Sequence, residues 1–143
     1  EDPGNTDPGE IGGGHVWQFS TPNWVESTPA SFNGKLYYGC MDGYLYRVDA
    51  ATFLNNEPDN KNLSSAVVGS PAISSATGIV FVASTGGVVH ARNASDLSDE
   101  TRQWSSNTGK QIKSSPAIIA GHVYIVTATS GTPGYRTLYC FGD

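Results

Sequence analysis

The side chains most capable of chemistry are three histidines and the carboxylates of the repeated segments. His15, His90 and His122 share no spacing typical of a metal site. Asp42 and Asp49 lie at a turn and at a predicted strand end, where stabilisation of the local backbone explains a carboxylate. The sequence also lacks a phosphate-binding loop, a dinucleotide-binding fingerprint and a nucleophile elbow. We therefore predict no catalytic residue and no metal site.

Two cysteines, Cys40 and Cys140, stand far apart and match no thioredoxin-like, zinc or covalent-haem motif. One interpretation is a disulfide, which would close a long loop and stabilise the fold by about 4 to 5 kcal/mol in the chain-entropy model. The other interpretation is two separate small apolar side chains in the core. The sequence leaves both interpretations open.

Asn62 and Asn93 each begin an Asn-X-Ser sequence, which is the acceptor for N-glycosylation in exported proteins of eukaryotes. Few charged residues, turns rich in Ser and Thr, and a disulfide interpretation all favour a location outside the cytoplasm. We therefore predict an extracytoplasmic protein, whether secreted, periplasmic or at the cell surface, with both asparagines as candidate glycosylation sites.

The composition predicts an all-β fold. Charged residues make up 15% of the 143 residues, while 17 Gly and 8 Pro favour short strands and tight turns. No stretch has the apolar periodicity of an amphipathic helix, and none approaches the roughly 18 apolar residues of a membrane span. The net charge of −5 argues against nucleic acid as a partner, because phosphate binding needs a basic surface.

Residues 1–15 are predicted to form a flexible acidic linker or tail. Asp2 and Asp7 each open an Asp-Pro-Gly turn signal, and one isoleucine is the main apolar side chain of the segment. Such a segment buries too little surface to offset its ordering entropy. Its carboxylates lack the ligand spacing of a calcium-binding loop, so a linker is the better interpretation.

Residues 16–143 contain three similar repeats, at about 16–50, 63–94 and 104–143. Pro29, Pro71 and Pro116 recur with a period of about 40–45 residues, and each follows Ser or Thr and precedes Ala. A period of this length with several short strands per unit is typical of a β-propeller blade. The predicted strands of the first repeat are Val16–Phe19, Thr28–Phe32, Lys35–Cys40 and Tyr44–Val48.

Turn signals separate the predicted strands. Asn33-Gly34 is a strong two-residue hairpin signal, because both central residues of that turn need a positive φ. A polar insertion from Thr52 to Asn62 follows the first repeat and takes the place of a tryptophan in the second. The strands Ile79–Ala83 and Val123–Val126 are apolar on both faces, which indicates a sheet packed on both sides.

These repeats resemble the pyrroloquinoline-quinone (PQQ) type repeat of quinoprotein alcohol dehydrogenases and of the lipoprotein of the outer-membrane barrel assembly machinery. The resemblance rests on the Ser/Thr-Pro-Ala starts, the Asp42-Gly43 turn and the Leu45–Ala50 ending, and it implies a propeller whose repeat tryptophans pack between blades. His90 takes the place of a repeat tyrosine, so we interpret it as a packing residue. The predicted structural repeat positions are Trp17, Pro29, Gly43, Tyr46, Asp49, Pro71, Trp104, Pro116 and Tyr139.

Three repeats are too few to close a propeller, which in this family usually has seven or eight blades. We interpret the first predicted strand, Val16–Phe19, as the outer strand of a blade whose other strands are missing from the repeats. We interpret Leu138–Phe141 as the third strand of a blade that lacks its outer strand. The missing strand would come from another copy of the chain or from further sequence. The unpaired strand edges predict one of two arrangements. Copies of the chain associate head to tail into rings or filaments, or the chain is a segment of a larger propeller.

Two functions from different classes follow. The first is a non-catalytic extracytoplasmic propeller segment that acts as a scaffold, a self-assembling unit or a protein-binding module, with no cofactor. The alternative is a fragment of a quinoprotein dehydrogenase for alcohols or sugars, with PQQ and calcium. The absence of an adjacent cysteine pair and of a covalent-haem motif favours the first. An envelope-assembly lipoprotein is a weaker third hypothesis, since no lipidation cysteine opens the chain.

Overall fold

A computed structural model describes residues 17–51, 59–99, 108–128 and 136–142. The predicted linker at residues 1–15 and the repeat residue Trp104 lie outside this part of the chain. The described residues form ten β-strands and no helix, so the all-β prediction is confirmed. The strands are β1 (Ala30–Phe32), β2 (Lys35–Gly39), β3 (Tyr44–Asp49), β4 (Asp59–Asn62), β5 (Ala72–Ser74), β6 (Ile79–Ala83), β7 (Val89–Asn93), β8 (Ala117–Ile119), β9 (His122–Val126) and β10 (Leu138–Phe141).

The strands form three antiparallel sheets, which we call blades one, two and three. Blade one has the strand order β1-β2-β3-β4, blade two β5-β6-β7 and blade three β8-β9-β10. The predicted Asn33-Gly34 hairpin joins β1 to β2, with φ values of 48° and 72° at the two turn residues. In blade two an isolated bridge between Arg92 and Asp99 pairs the outer side of β7 with the following segment.

Three details of the predicted strands differ from the structure. The described part of Val16–Phe19, predicted as an outer strand without a blade, is not a strand from Trp17 onward. The end of the predicted polar insertion is a strand, β4, which pairs with the outer side of β3. The strand predicted from Thr28 begins at Ala30, because Pro29 has no N–H to donate and the N–H of Thr28 bonds elsewhere.

The core lies between the blades, in two clusters of buried side chains. Between blades one and two, Tyr37 and Leu45 pack with Val80 and Val82. Between blades two and three, the buried residues are Ala83, Val89, Ile112, Val123 and Ile125. We call the side of each blade that contacts the next blade along the chain its forward face, and the opposite side its back face.

Candidate functional site

The Ser/Thr-Pro-Ala motif connects consecutive blades through its first residue. The Thr28 N–H of blade one donates to Ser70 Oγ of blade two at 2.8 Å, and the Ser70 N–H donates to Ser115 Oγ of blade three at 2.8 Å. Each hydroxyl therefore accepts a backbone N–H from the preceding blade. We call Thr28, Ser70 and Ser115 the hydroxyl ladder.

The hydroxyl ladder is open at both ends within the described residues. Neither the Oγ1 of Thr28 nor the N–H of Ser115 forms a hydrogen bond there, and both residues are exposed, whereas Ser70 is half-buried. Blade one thus presents an acceptor at its end of the ladder, and blade three presents a donor at the other. The two ends are chemically complementary.

In blades one and three, the serine before the ladder position fixes the motif to its own blade. Ser27 Oγ donates to the Gly39 carbonyl and accepts the Gly39 N–H, both at 2.8 Å. Ser114 Oγ makes the same pair of bonds to Val126, at 2.8 and 3.1 Å. Blade two has Gly69 at this position, where a Cβ would lie 2.4 Å from the Ser114 carbonyl oxygen. The motif predicted as a repeat marker is therefore the connection within and between blades.

The forward face of blade three is an exposed apolar surface. Leu138 is 65% exposed, although Leu45 and Val89, at the equivalent register positions of blades one and two, are 0% and 1% exposed. Ile119 and Val126 on the same face are 64% and 40% exposed. The forward face is buried at the Leu138 position wherever another blade follows, so the exposure of Leu138 marks a place where the described residues supply no cover.

The back face of blade one carries an apolar groove. Tyr38 and Tyr46 stack there with ring centroids 5.3 Å apart, and burial raises the pKa of Tyr38 to about 12. Phe19 packs against Tyr46 at 6.0 Å, so the segment that precedes blade one covers part of this face. The remaining groove has a volume of about 250 Å³ and is lined by Trp17, Phe19, Thr21, Val25, Pro29, Leu36, Tyr38 and Val48.

A second cavity, of about 430 Å³, lies between blades one and two. Lys35 and Arg47 line it, but each is paired with a carboxylate, Lys35 with Asp49 at 2.6 Å and Arg47 with Asp59. Arg47 also donates to the Ala94 carbonyl at 3.0 Å. Because its cations are already neutralised, this cavity does not form a strong site for an anion.

His90 belongs to a network in blade two that sequence reasoning did not detect. Its Nδ1 lies 3.4 Å from Arg92 Nη2, which can only donate, and its Nε2 lies 3.2 Å from Ser84 Oγ. The proton of the neutral ring therefore lies on Nε2, so His90 donates to Ser84 and cannot act as its base. Burial, and then the charge of Arg92, lower the pKa of His90 to about 4. Asp99 accepts from Arg92 at 2.6 Å.

The two aspartates of the first repeat bind backbone and neighbouring side chains. Asp42 accepts the Tyr44 N–H at 2.9 Å and the Tyr46 hydroxyl at 2.6 Å, and burial together with this bond raises the pKa of Tyr46. Asp49 accepts the Ala51 N–H at 2.8 Å in addition to pairing with Lys35. No group of three or more potential metal ligands occurs in the described ranges.

The two cysteines are free thiols, so the disulfide interpretation does not hold in this structure. Cys40 follows β2 in blade one and is buried, whereas Cys140 is exposed on the forward face of blade three, with blade two between them. The alternative of small buried side chains fits Cys40 alone. The hydrogen bond between Tyr124 and Cys140 raises the pKa of Tyr124.

The candidate glycosylation sites both lie on described residues. Asn62 is exposed at the end of β4, and its side chain accepts the Ser64 N–H and donates to the Tyr44 hydroxyl. Asn93 is half-buried at the end of β7 and accepts from both the N–H and the hydroxyl of Ser95. Asn62 is therefore the more accessible of the two, and glycosylation remains a prediction.

The fold is similar to that of several solved proteins. They include the quinohemoprotein alcohol dehydrogenase of Comamonas testosteroni, at 18% identity with a TM-score of 0.61 over 82% of this chain and 19% of that one. BamB of Moraxella catarrhalis matches at 9% identity with a TM-score of 0.59 over 83% of this chain and 35% of that one. The Swd1 β-propeller domain of Myceliophteria thermophila matches at 15% identity with a TM-score of 0.51 over 85% of this chain and 41% of that one.

These likenesses confirm the β-propeller resemblance at the level of the fold. The chain spans between about a fifth and two fifths of the length of these proteins. No family model and no curated protein sequence matches the chain. The part of the chain that the structure describes contains no helix long and apolar enough to cross a membrane.

Proposed function

We propose that the chain is a non-catalytic, extracytoplasmic β-propeller module that acts as a scaffold by binding protein at its exposed blade surfaces. The observation that carries this function is the forward face of blade three. Leu138 is exposed at a position that is buried in both other blades, and Ile119 and Val126 of the same face are exposed as well. Exposed contiguous apolar surface in a soluble protein typically marks an interaction site.

The chemistry of the described side chains supports a binding role over a catalytic one. His90 donates to Ser84, and its pKa is far below neutrality, so it stays uncharged and cannot activate that hydroxyl. Asp42 and Asp49 have their oxygens engaged in turns and an ion pair. These groups hold the blades in shape.

The strand edges offer a second route to protein partners. Within the described ranges, β10 is the edge strand of blade three and lies next to β9. An added strand would complete blade three in the way that β4 completes blade one. The scaffold function therefore includes strand addition at β10.

A fragment of a PQQ-dependent dehydrogenase is the second candidate, because one of the similar folds belongs to a quinohemoprotein alcohol dehydrogenase. Calcium prefers six to eight oxygen ligands, several of them carboxylates. The described residues do not fit this group, since they contain no cluster of carboxylates that could hold it.

The experiment that separates the two candidates is equilibrium dialysis of the purified chain against PQQ, with and without calcium, followed by alcohol-dependent dye reduction. A quinoprotein dehydrogenase serves as the positive control. We expect no retained quinone and no dye reduction. Calcium-dependent retention of PQQ with turnover of an alcohol would overturn the scaffold function. Fractionation of the source cells tests the extracytoplasmic location, and recovery in the cytoplasmic fraction would contradict it.

A further inference from the structure

We infer that the forward face of blade three docks on the back face of blade one of a second copy of this chain. This inference rests on the proposed scaffold function and names its partner. The two surfaces belong to the same polypeptide, so neither needs a different protein to match it. One is the exposed apolar face around Leu138, and the other is the apolar groove around Leu36 and Tyr38.

The contact continues an interface that the chain already uses twice. Blade one places its forward face on the back face of blade two, and blade two does the same with blade three. In both cases the forward face contributes Leu45 or Val89, and the back face contributes aliphatic side chains of β6 or β9. A second copy's blade one would present Leu36 and Tyr38 of β2 at the equivalent positions of its back face.

The hydroxyl ladder supplies the polar part of the same contact. Its direction is fixed, because each N–H donates to the hydroxyl of the next blade. The open donor is the Ser115 N–H of blade three, and the open acceptor is the Thr28 Oγ1 of blade one. In the proposed contact the Ser115 N–H donates to Thr28 Oγ1 of the second copy, which continues the ladder without a change in its geometry.

Charge complementarity supports this register. Glu26 of blade one and Lys113 of blade three occupy the same position of the repeated motif, and both are exposed. Because the ladder aligns the motifs of neighbouring blades, it places Glu26 of the second copy beside Lys113. The opposite charges favour a second copy in this orientation and disfavour a symmetric contact between two blade-three faces.

The contact joins two different surfaces, so it is heterologous and repeats from copy to copy. Each added chain buries one forward face and exposes another. The expected product is a ring if the rotation between copies closes, and a filament if it does not.

The test uses two exposed substitutions, each of which blocks one surface. Leu138→Asp places a charge on the forward face, and Val25→Asp places one at the groove. Light scattering is expected to give a multimer for the wild-type chain and a monomer of 15.1 kDa for each variant alone. An equimolar mixture is expected to form a 1:1 dimer, because the Val25→Asp chain keeps its forward face and the Leu138→Asp chain keeps its back face.

Ala76→Asp is the matched control, since Ala76 is exposed in the β5–β6 turn of the middle blade, away from both surfaces. It is expected to assemble like the wild type. Circular dichroism checks that every variant retains the β-sheet spectrum. If a variant fails to fold, the charge pair gives a second test. Lys113→Glu is expected to weaken assembly a few-fold, and adding Glu26→Lys in the same chain is expected to restore it.

The thiols provide a readout that needs no substitution. Cys140 lies on the forward face and is exposed, whereas Cys40 is buried. Alkylation of Cys140 in the wild-type chain is therefore expected to slow as the protein concentration rises.

A wild-type chain that stays monomeric at every concentration would overturn the second copy as occupant and would leave the face to a different blade or protein. The proposed contact would also be overturned if the wild-type chain formed a multimer but the Leu138→Asp and Val25→Asp chains formed no dimer when mixed. Neither result would affect the non-catalytic scaffold function, which fails only if the quinone experiment gives turnover.

Discussion

Removal of single hydroxyls from the ladder tests whether the Ser/Thr-Pro-Ala motif connects the blades. Ser70→Ala removes the acceptor of the Thr28 N–H, and Ser115→Ala removes the acceptor of the Ser70 N–H. A typical intramolecular hydrogen bond contributes about 0.5–1.5 kcal/mol net, and a donor left without a partner in a half-buried place costs somewhat more. We expect Ser70→Ala to lower the free energy of unfolding by about 1 kcal/mol and Ser115→Ala by about 1–2 kcal/mol.

Thr28→Ala is the matched control within the same motif. Thr28 Oγ1 accepts no hydrogen bond in the described residues, so its removal is expected to change the free energy of unfolding by less than about 0.5 kcal/mol. The comparison belongs in the monomeric Leu138→Asp background, because the proposed assembly would give Thr28 a partner. Urea unfolding followed by tryptophan fluorescence provides the free energies, with unchanged m-values as the sign of an unaltered unfolding transition.

The result that would refute this reasoning is a Thr28→Ala variant as destabilised as the other two. The hydroxyls would then act through local backbone preference at the motif, and the bonds between blades would carry no measurable energy. The Ser70→Ala/Ser115→Ala double variant is expected to be less stable than either single variant, because each substitution removes a different acceptor.

Two further predictions concern the interior of the blades. The pKa of His90 is about 4 in the folded chain and 6.5 in the unfolded chain. Between these pH values the unfolded state therefore binds more protons than the folded state. The stability that His90 contributes above pH 6.5 is lost as the pH falls towards 4. Because the ring is only half-buried, we expect the free energy of unfolding to fall by about 1–2 kcal/mol over this pH range. His90→Gln should remove this part of the pH dependence in urea titrations. If the variant shows the same pH dependence as the wild type, His90 is not its source. Gly69→Ala should destabilise by about 1–3 kcal/mol, because the new Cβ would lie 2.4 Å from a backbone oxygen. Gly86→Ala is its control in thermal melts, since its Cβ would meet the hydroxyl of Ser65, which can rotate away; equal melting temperatures of the two variants would disprove the steric argument.

Local sequence signals predicted the hairpins and the repeated sheets well. Asn33-Gly34 specifies its turn because few residue pairs accept two positive φ values in succession. The recurring prolines marked the start of the inner strand of each sheet to within a few residues. These features depend on neighbours in the sequence, so they can be read without knowledge of the fold.

The errors concern features that depend on distant partners. Asp59–Asn62 became the outer strand of blade one although it is wholly polar, because its side chains lie near solvent and its backbone pairs with β3. Trp17–Phe19 has good strand propensity, but in the structure these residues do not form a strand.

The sites were predicted less completely than the sheets. The hydroxyl ladder joins residues 42 and 45 positions apart, and its only sequence signal was the period of the motif itself. Arg92 stands where Val48 stands in blade one, and its ion pair with Asp99 cannot be inferred from the pattern of apolar positions.

The hydroxyl ladder also bears on how propellers of this kind change size in evolution. Both described junctions of the ladder are made by a backbone amide and a serine hydroxyl, so the ladder itself does not mark a blade's place in the series. Duplication or deletion of one repeat leaves these ladder bonds chemically unchanged. The number of blades is then set by the rotation between neighbours, which depends on the volume of the side chains packed between them. Gene duplication can therefore lengthen or shorten such a protein without first inventing a new interface.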